Sequence, residues 1–262
     1  ASELLALDRW IVAQTLSLQK ELQQLYDTYQ FHVAVQKIHN FCSETLGGYY
    51  LDVIKDRQYT TQTNSLARRS CQSAMFHITE AMTRWIAPIL SFSADEVWEN
   101  MPGERDDLGV FTAEWYDGLF DYENDQIKPE VWDLVDQVRA EVTRKLEGLR
   151  QDGKIGSSLD AEVTIYADQS LIDQLQVIHD ELRFVLITSE ARLAPIGEKK
   201  NASPVTIGNG HQIVVEAIAS EHAKCVRCWH HREEVGRDST HPKLCARCIE
   251  NVNGDGEIRR YA

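Results

Sequence analysis

From Leu4 to Tyr29 the apolar residues Leu4, Leu7, Ile11, Leu18, Leu22, Leu25 and Tyr29 recur mostly at three- and four-residue steps, broken only at Gln14 and Thr15. That spacing lays one apolar stripe along a long helix. A second stripe runs through Val35, Ile38, Cys42, Leu46, Tyr49 and Val53. Gly47 and Gly48 interrupt it, each at a cost of about 1 kcal/mol relative to alanine, so a kink or a close helix crossing is expected there. Cys71, Met75, Ile78, Met82, Trp85 and Ile89 form a third stripe, which stops near Pro88. Ser93-Ala94-Asp95-Glu96 fits a capping box and predicts a short helix starting there, closed by Met101-Pro102-Gly103. Residues 104–126 keep no clean period and read as a connector packed against the bundle. Pro129 suits the first turn of a fourth long helix, with the stripe Val131, Leu134, Val138, Val142, Leu146 and Leu149 and an end at Gly153.

The period then changes to two. Ala161, Val163, Ile165 and Ala167 alternate with Glu162, Thr164 and Tyr166, the pattern of a half-buried strand. Helical spacing returns through Leu171, Leu175, Ile178, Leu182 and Val185, and residues 205–207 and 212–218 flank Gly208-Asn209-Gly210, a strong hairpin signal. The fold class expected is mainly α: a helical bundle, a small α+β subdomain, and a cysteine-bearing tail.

Composition fits that picture. The 262 residues are 43% hydrophobic and 26% charged, as in an ordinary soluble globular protein, and the length suggests two or three units. No uncharged apolar run approaches the roughly 18 residues of a bilayer span. The first 25 residues contain Glu3, Asp8, Arg9, Lys20 and Glu21, which leaves no signal-peptide core, so a cytoplasmic protein without membrane attachment is expected. The formal charge is -14, unevenly spread: residues 223–262 carry eight basic and six acidic side chains, the remainder a net -16. An acidic body argues against gripping nucleic acid over the whole surface and leaves room for a local basic patch.

Four of the six cysteines fall as Cys225-x2-Cys228 and Cys245-x2-Cys248, sixteen residues apart. Each pair can turn two sulfurs towards one ion, and the intervening loop lets the second pair complete a tetrahedron. One structural zinc per chain is expected. Two disulfides are the alternative, disfavoured in a reducing compartment, and iron takes the same ligands. His230, His231 and His241 stand nearby, but four cysteines already fill the shell. Without the metal, a tail of roughly 40 residues has too small a core to fold alone. It carries Arg227, Trp229, His230, His231, Arg232, Arg247, Arg259 and Arg260. An indole beside guanidinium groups can stack on an unpaired base and contact phosphate. From spacing alone the plainer reading is preferred, with Trp229 packed as the ribbon's own small core and the arginines solvated.

Cys42 and Cys71 lie on helical stripes and read as core thiols. The acidic group Asp95, Glu96, Glu99, Glu104, Asp106 and Asp107 is explained by capping and solvation. Arg68 and Arg69 either meet phosphate or face water. No phosphate-binding glycine loop, Gly-x-Ser-x-Gly elbow or His-Glu-x-x-His pair is present, and no catalytic residue can be assigned.

Together these residues resemble the C-terminal third of the bacterial isoleucyl-tRNA synthetases. The resemblance rests on Leu7-Asp8-Arg9-Trp10, Ile86-Ala87-Pro88-Ile89-Leu90, Ser93-Ala94-Asp95-Glu96-Val97-Trp98, Met101-Pro102-Gly103 and residues 154–161. In the tail it rests on Cys225-Val226-Arg227-Cys228-Trp229 and Cys245-Ala246-Arg247-Cys248. It implies a helical anticodon-binding domain over residues 1–126, a small α+β subdomain over 127–222 and a zinc-ribbon tail over 223–262. It also implies isoleucine tRNA as partner, with Arg227, Trp229, His230, Arg232, Arg247, Arg68 and Arg69 as candidate contacts, Arg227 and Trp229 foremost. The family signatures His-Ile-Gly-His and Lys-Met-Ser-Lys-Ser are absent, and so is the length for catalytic and editing domains. The chain therefore resembles a non-catalytic, monomeric portion of an ATP-using class I ligase. A DNA-repair glycosylase with a similar ribbon, and a helical interaction scaffold with a structural ribbon, are the alternatives. Glycosylases of that kind use an N-terminal proline, and Ala1-Ser2-Glu3 offers none.

Overall fold

The computed structural model describes residues 3–104, 108–123, 127–199 and 202–262. Asp106 and Asp107 of the acidic group, residues 105–107 and 124–126 of the connector with the boundary at Gln126, and Ala1 and Ser2 lie outside the described residues. The architecture is mainly helical, with one small mixed sheet and a four-cysteine cluster, as expected. The chain forms two compact units: Ala1–Asp52 with Arg69–Glu123, and Val53–Arg68 with Asn124–Ala262.

In the first unit the apolar stripes become α1 (Ala6–Asp27), α2 (Phe31–Asn40), α4 (Leu66–Ile86, from Arg69 on) and α5 (Ser91–Asn100). Leu7, Ile11, Leu22, Tyr50 and Trp85 form its buried interior. Two polar side chains inside are paired across helices. Asp8 accepts from Tyr50 Oη at 2.7 Å and from Ser70 Oγ, and Gln19 accepts from Trp85 Nε1 at 2.9 Å. The connector does pack on the bundle. Gln19 Nε2 donates to the Tyr116 carbonyl at 2.8 Å, and Trp115 meets Tyr26 edge-on.

One expectation in this region is corrected. The Ser93 capping box does not form, because the N-cap of α5 is Leu90, three residues earlier. The Leu90 carbonyl already accepts from Ala94 N at 2.9 Å, which leaves Ser93 inside the first turn. At Gly47-Gly48 the helical winding continues and widens. Phe41–Tyr50 winds as a π-helix between α2 and α3 (Leu51–Thr60). In that winding a Cβ at Gly47 would come 3.0 Å from the Cys42 carbonyl oxygen and one at Gly48 3.2 Å from that of Ser43. Glycine is what lets the wider turn close.

The second unit is built on a four-stranded sheet in the order β2-β1-β4-β3, formed by β1 (Ala161–Ala167), β2 (Glu190–Pro195), β3 (Val205–Ile207) and β4 (His211–Ala219). β1 runs parallel to β2 and antiparallel to β4, and β3–β4 is the hairpin predicted at Gly208-Asn209-Gly210. The long helix α6 (Pro129–Gln151) starts at its proline and packs on β4 and β3. The stripe from Leu171 to Val185 is buried as expected, but its backbone is not one helix. It passes from α7 (Gln169–Leu175) through a 3-10 stretch, Gln176–Glu181, to α8 (Leu182–Val185). Three- and four-residue steps suit both windings, so periodicity could not separate them. The capping box missing at Ser93 appears at Ser157, where Leu159 N donates to Ser157 Oγ at 3.1 Å and Ser157 N to Asp160 Oδ2 at 2.8 Å. Cys71 is buried, and Cys42 is half-buried with its thiol pushed up by burial.

Candidate metal centre and nucleic-acid interface

The two cysteine pairs converge. The Sγ atoms of Cys225, Cys228, Cys245 and Cys248 all lie within 4.8 Å of one another, and all four residues are buried. Cys228 and Cys245 are 3.6 Å apart, close to the roughly 3.8 Å edge of a tetrahedron with metal–sulfur bonds of about 2.3 Å. The first pair sits on a tight knuckle in which Trp229 N donates to the Cys225 carbonyl and Cys225 N to that of His230, both at 2.9 Å. The second pair straddles the start of α9 (Ala246–Asn253), and Cys245 N points at Cys225 Sγ at 3.4 Å. Hydrogen bonds from Cys225, Cys245 and Cys248 pull the Cys228 thiol far down, and those to Cys225, Cys228 and Cys245 push the Cys248 thiol far up. Sulfurs this close cannot all ionise unaided; a divalent cation among them removes the conflict. The cluster can hold a metal ion.

Beside it, the candidate contacts divide. Trp229 stands on the knuckle with its side chain outward, 62% exposed, and its backbone in the left-handed region at φ +65°. It is not the ribbon's own core, contrary to the plainer reading. Arg227 is half-buried; its Nη1 donates to the Thr60 carbonyl at 2.5 Å and approaches Cys248 Sγ at 3.8 Å. His230, in contrast, is buried, with Nδ1 3.2 Å from the Cys228 carbonyl and its ring edge-on to Phe184. Arg232 turns inward to the Ser189 carbonyl at 3.0 Å and Glu190 at 2.7 Å. Arg68 is half-buried and Arg69 exposed near the start of α4.

Arg247 belongs to a buried ion-pair network that sequence reading missed. It grips Asp56 of α3 with two hydrogen bonds, 2.6 and 2.8 Å, and reaches Glu257 at 3.0 Å. Arg259 spans the same two carboxylates at 2.6 and 2.9 Å and lies 3.2 Å from the Phe184 ring centroid. Burial alone would push the Asp56 carboxyl up; the charge and hydrogen bonds of Arg247, then the charge of Arg259, hold it well below the usual carboxylate range. Nearby, Glu181 accepts backbone N–H groups from Arg260, Tyr261 and Ala262 at 2.7, 3.0 and 2.7 Å. On the strand side Asp160 meets Lys224 at 3.1 Å and His231 at 3.2 Å. The ribbon is thus fastened to α3, to the 3-10 stretch before α8 and to the turn before β1 by charged groups.

Residues 8–165 match the model of the anticodon-binding domain of tRNA ligase. The chain belongs to that anticodon-binding family. Residues 224–251 match a second model, a zinc finger found in FPG and IleRS, which spans all four cysteines. The chain is 52% identical over 261 residues to an isoleucine–tRNA ligase of Alcanivorax borkumensis, and 51% identical to those of Shewanella sp. (strain W3-18-1) and Pseudomonas aeruginosa (strain UCBPP-PA14). Each match covers 99% of this chain and 27–28% of the relative. The resemblance read from the motifs holds over the whole chain. Among the described residues no helix is long and apolar enough to cross a membrane.

Proposed function

We propose that this anticodon-binding chain docks the anticodon stem-loop of isoleucine tRNA on behalf of an isoleucine–tRNA ligase. The catalytic domain of that ligase would join isoleucine to the tRNA at the expense of ATP, and its editing domain would hydrolyse wrongly charged product. The reading is carried by one observation in a chain of this family: an exposed indole, Trp229, held on a hydrogen-bonded knuckle between a cluster cysteine and a buried histidine. A bulky residue in the left-handed region costs about 1–2 kcal/mol, and its exposed side chain gains no interior packing in return, which favours an external partner. Trp229 and the free edge of Arg227 are the proposed base and phosphate contacts, with Arg69 a further candidate. His230, Arg232 and Arg247 support that surface from beneath.

Zinc is the metal proposed, one ion per chain, since four thiolates leave no position open for water. Its role is structural: it ties the knuckle that aims the indole. We take the functional segments to be residues 1–126, 127–222 and 223–262, working as a monomer in the cytoplasm. The helical family match over residues 8–165 favours this reading over a glycosylase-like DNA binder. The test is a titration of the isoleucine anticodon stem-loop at fixed salt. Trp229→Ala is expected to lose about 1–3 kcal/mol of binding, the value of one base–aromatic stack. Unchanged affinity, or equal affinity of the parent for an unrelated stem-loop, would refute the assignment.

A further inference from the structure

Phe184 on α8 is ringed by cations: Arg259, Arg183 and Arg247 have Cζ at 3.2, 4.1 and 5.1 Å from its centroid. Arg247 and Arg259 are matched by Asp56 and Glu257, and Arg232 beyond them by Glu190 and Glu234. Arg183 differs. Its half-buried guanidinium makes no hydrogen bond or ion pair among the described residues and only rests on the phenyl face. Glu181, two residues before it, is taken up by the three backbone N–H groups of residues 260–262. On balance its surroundings oppose its charge: burial, then Arg232, Arg247 and Arg259, push its pKa down to about 10 against the pull of Asp56.

A desolvated cation among like charges is stabilised by an incoming anion. A guanidinium fork suits phosphate in particular, offering two parallel N–H donors. Phe184 also touches the ring of His230, edge-on at 5.7 Å between centroids, and His230 is next in sequence to Trp229. Arg183 and the residue next to the indole-bearing Trp229 thus pack on the same phenyl ring. We infer that Arg183 is a phosphate-binding residue, taking a backbone phosphate of the RNA whose unpaired base stacks on Trp229. The identity of that RNA rests on the reading above; the phosphate site does not.

The experiment compares the full chain with Arg183→Met, Arg183→Lys and Trp229→Ala. Binding of the anticodon stem-loop is followed from about 50 to 200 mM salt, where each phosphate contact on a single strand contributes about 0.7 to the slope of log affinity against log salt. Arg183→Met should lower that slope by about 0.7 and Arg183→Lys should largely retain it, while Trp229→Ala loses affinity at unchanged slope. Inorganic phosphate at matched ionic strength should compete with RNA on the parent and not on Arg183→Met. Thermal unfolding separates a structural role: Arg183→Met, which keeps the contact with Phe184, should melt within a few degrees of the parent. An unchanged slope, or equal competition by phosphate on both proteins, overturns the assignment. An unaltered affinity in Trp229→Ala would sink only the stacking proposal, leaving the slope and phosphate results to judge Arg183.

Discussion

Replacing Asp56 by asparagine tests whether the ribbon is held on α3 by charge. The carboxylate accepts three hydrogen bonds from two guanidiniums, and its side chain is only 15% exposed. Removing one partner of a buried pair costs about 3–5 kcal/mol because the other charge is left uncompensated. Asparagine keeps one acceptor oxygen, and Glu257 still meets both arginines, so the low end applies, about 3 kcal/mol. Spread over a unit of this size, that lowers the midpoint of thermal unfolding by roughly 6–12 °C. Amide exchange should quicken first in residues 246–262 and at the end of α3. The pH dependence has a definite sign. Because the folded carboxyl titrates below its unfolded value, its contribution is fully present above about pH 4 and is lost as the pH falls through the folded value. Parent and variant should therefore converge in acid and differ most near neutrality. A midpoint within a degree of the parent at pH 7, with exchange in 246–262 unchanged, would refute the reasoning.

Two further outcomes probe the metal and the π-helical turn. Chelation is expected to release protection first in residues 224–251, which depend on the cluster, while residues 256–262 stay protected by Glu181 and Asp56; simultaneous loss in hydrogen exchange of both segments would refute separate anchoring. Gly47→Ala in an ordinary helix would stabilise by about 1 kcal/mol. Here the new Cβ would meet the Cys42 carbonyl at 3.0 Å, so a lower unfolding midpoint is expected, and a rise would refute the need for glycine in the wider turn.

Sequence alone determined the features whose signal is local. Apolar steps of three and four marked α1, α4 and α6, alternation marked β1, Gly-Asn-Gly marked the hairpin, and two Cys-x2-Cys pairs marked the cluster, because each is a repeat readable within a short window. Edge strand β2 escaped, since the alternation of Glu190-Ala-Arg-Leu lasts only four residues before Ala194-Pro195; it is half-exposed and defined by its parallel partner. The tertiary structure decided which of the tail's charged and aromatic groups face outward. Spacing treats Trp229, His230 and Arg247 alike, yet the first is exposed, the second buried and the third paired with a carboxylate 191 residues away. Long-range ion pairs leave no periodic trace. Asp56, Glu181 and Arg183 acquire their roles only when distant segments come together and water is excluded around them.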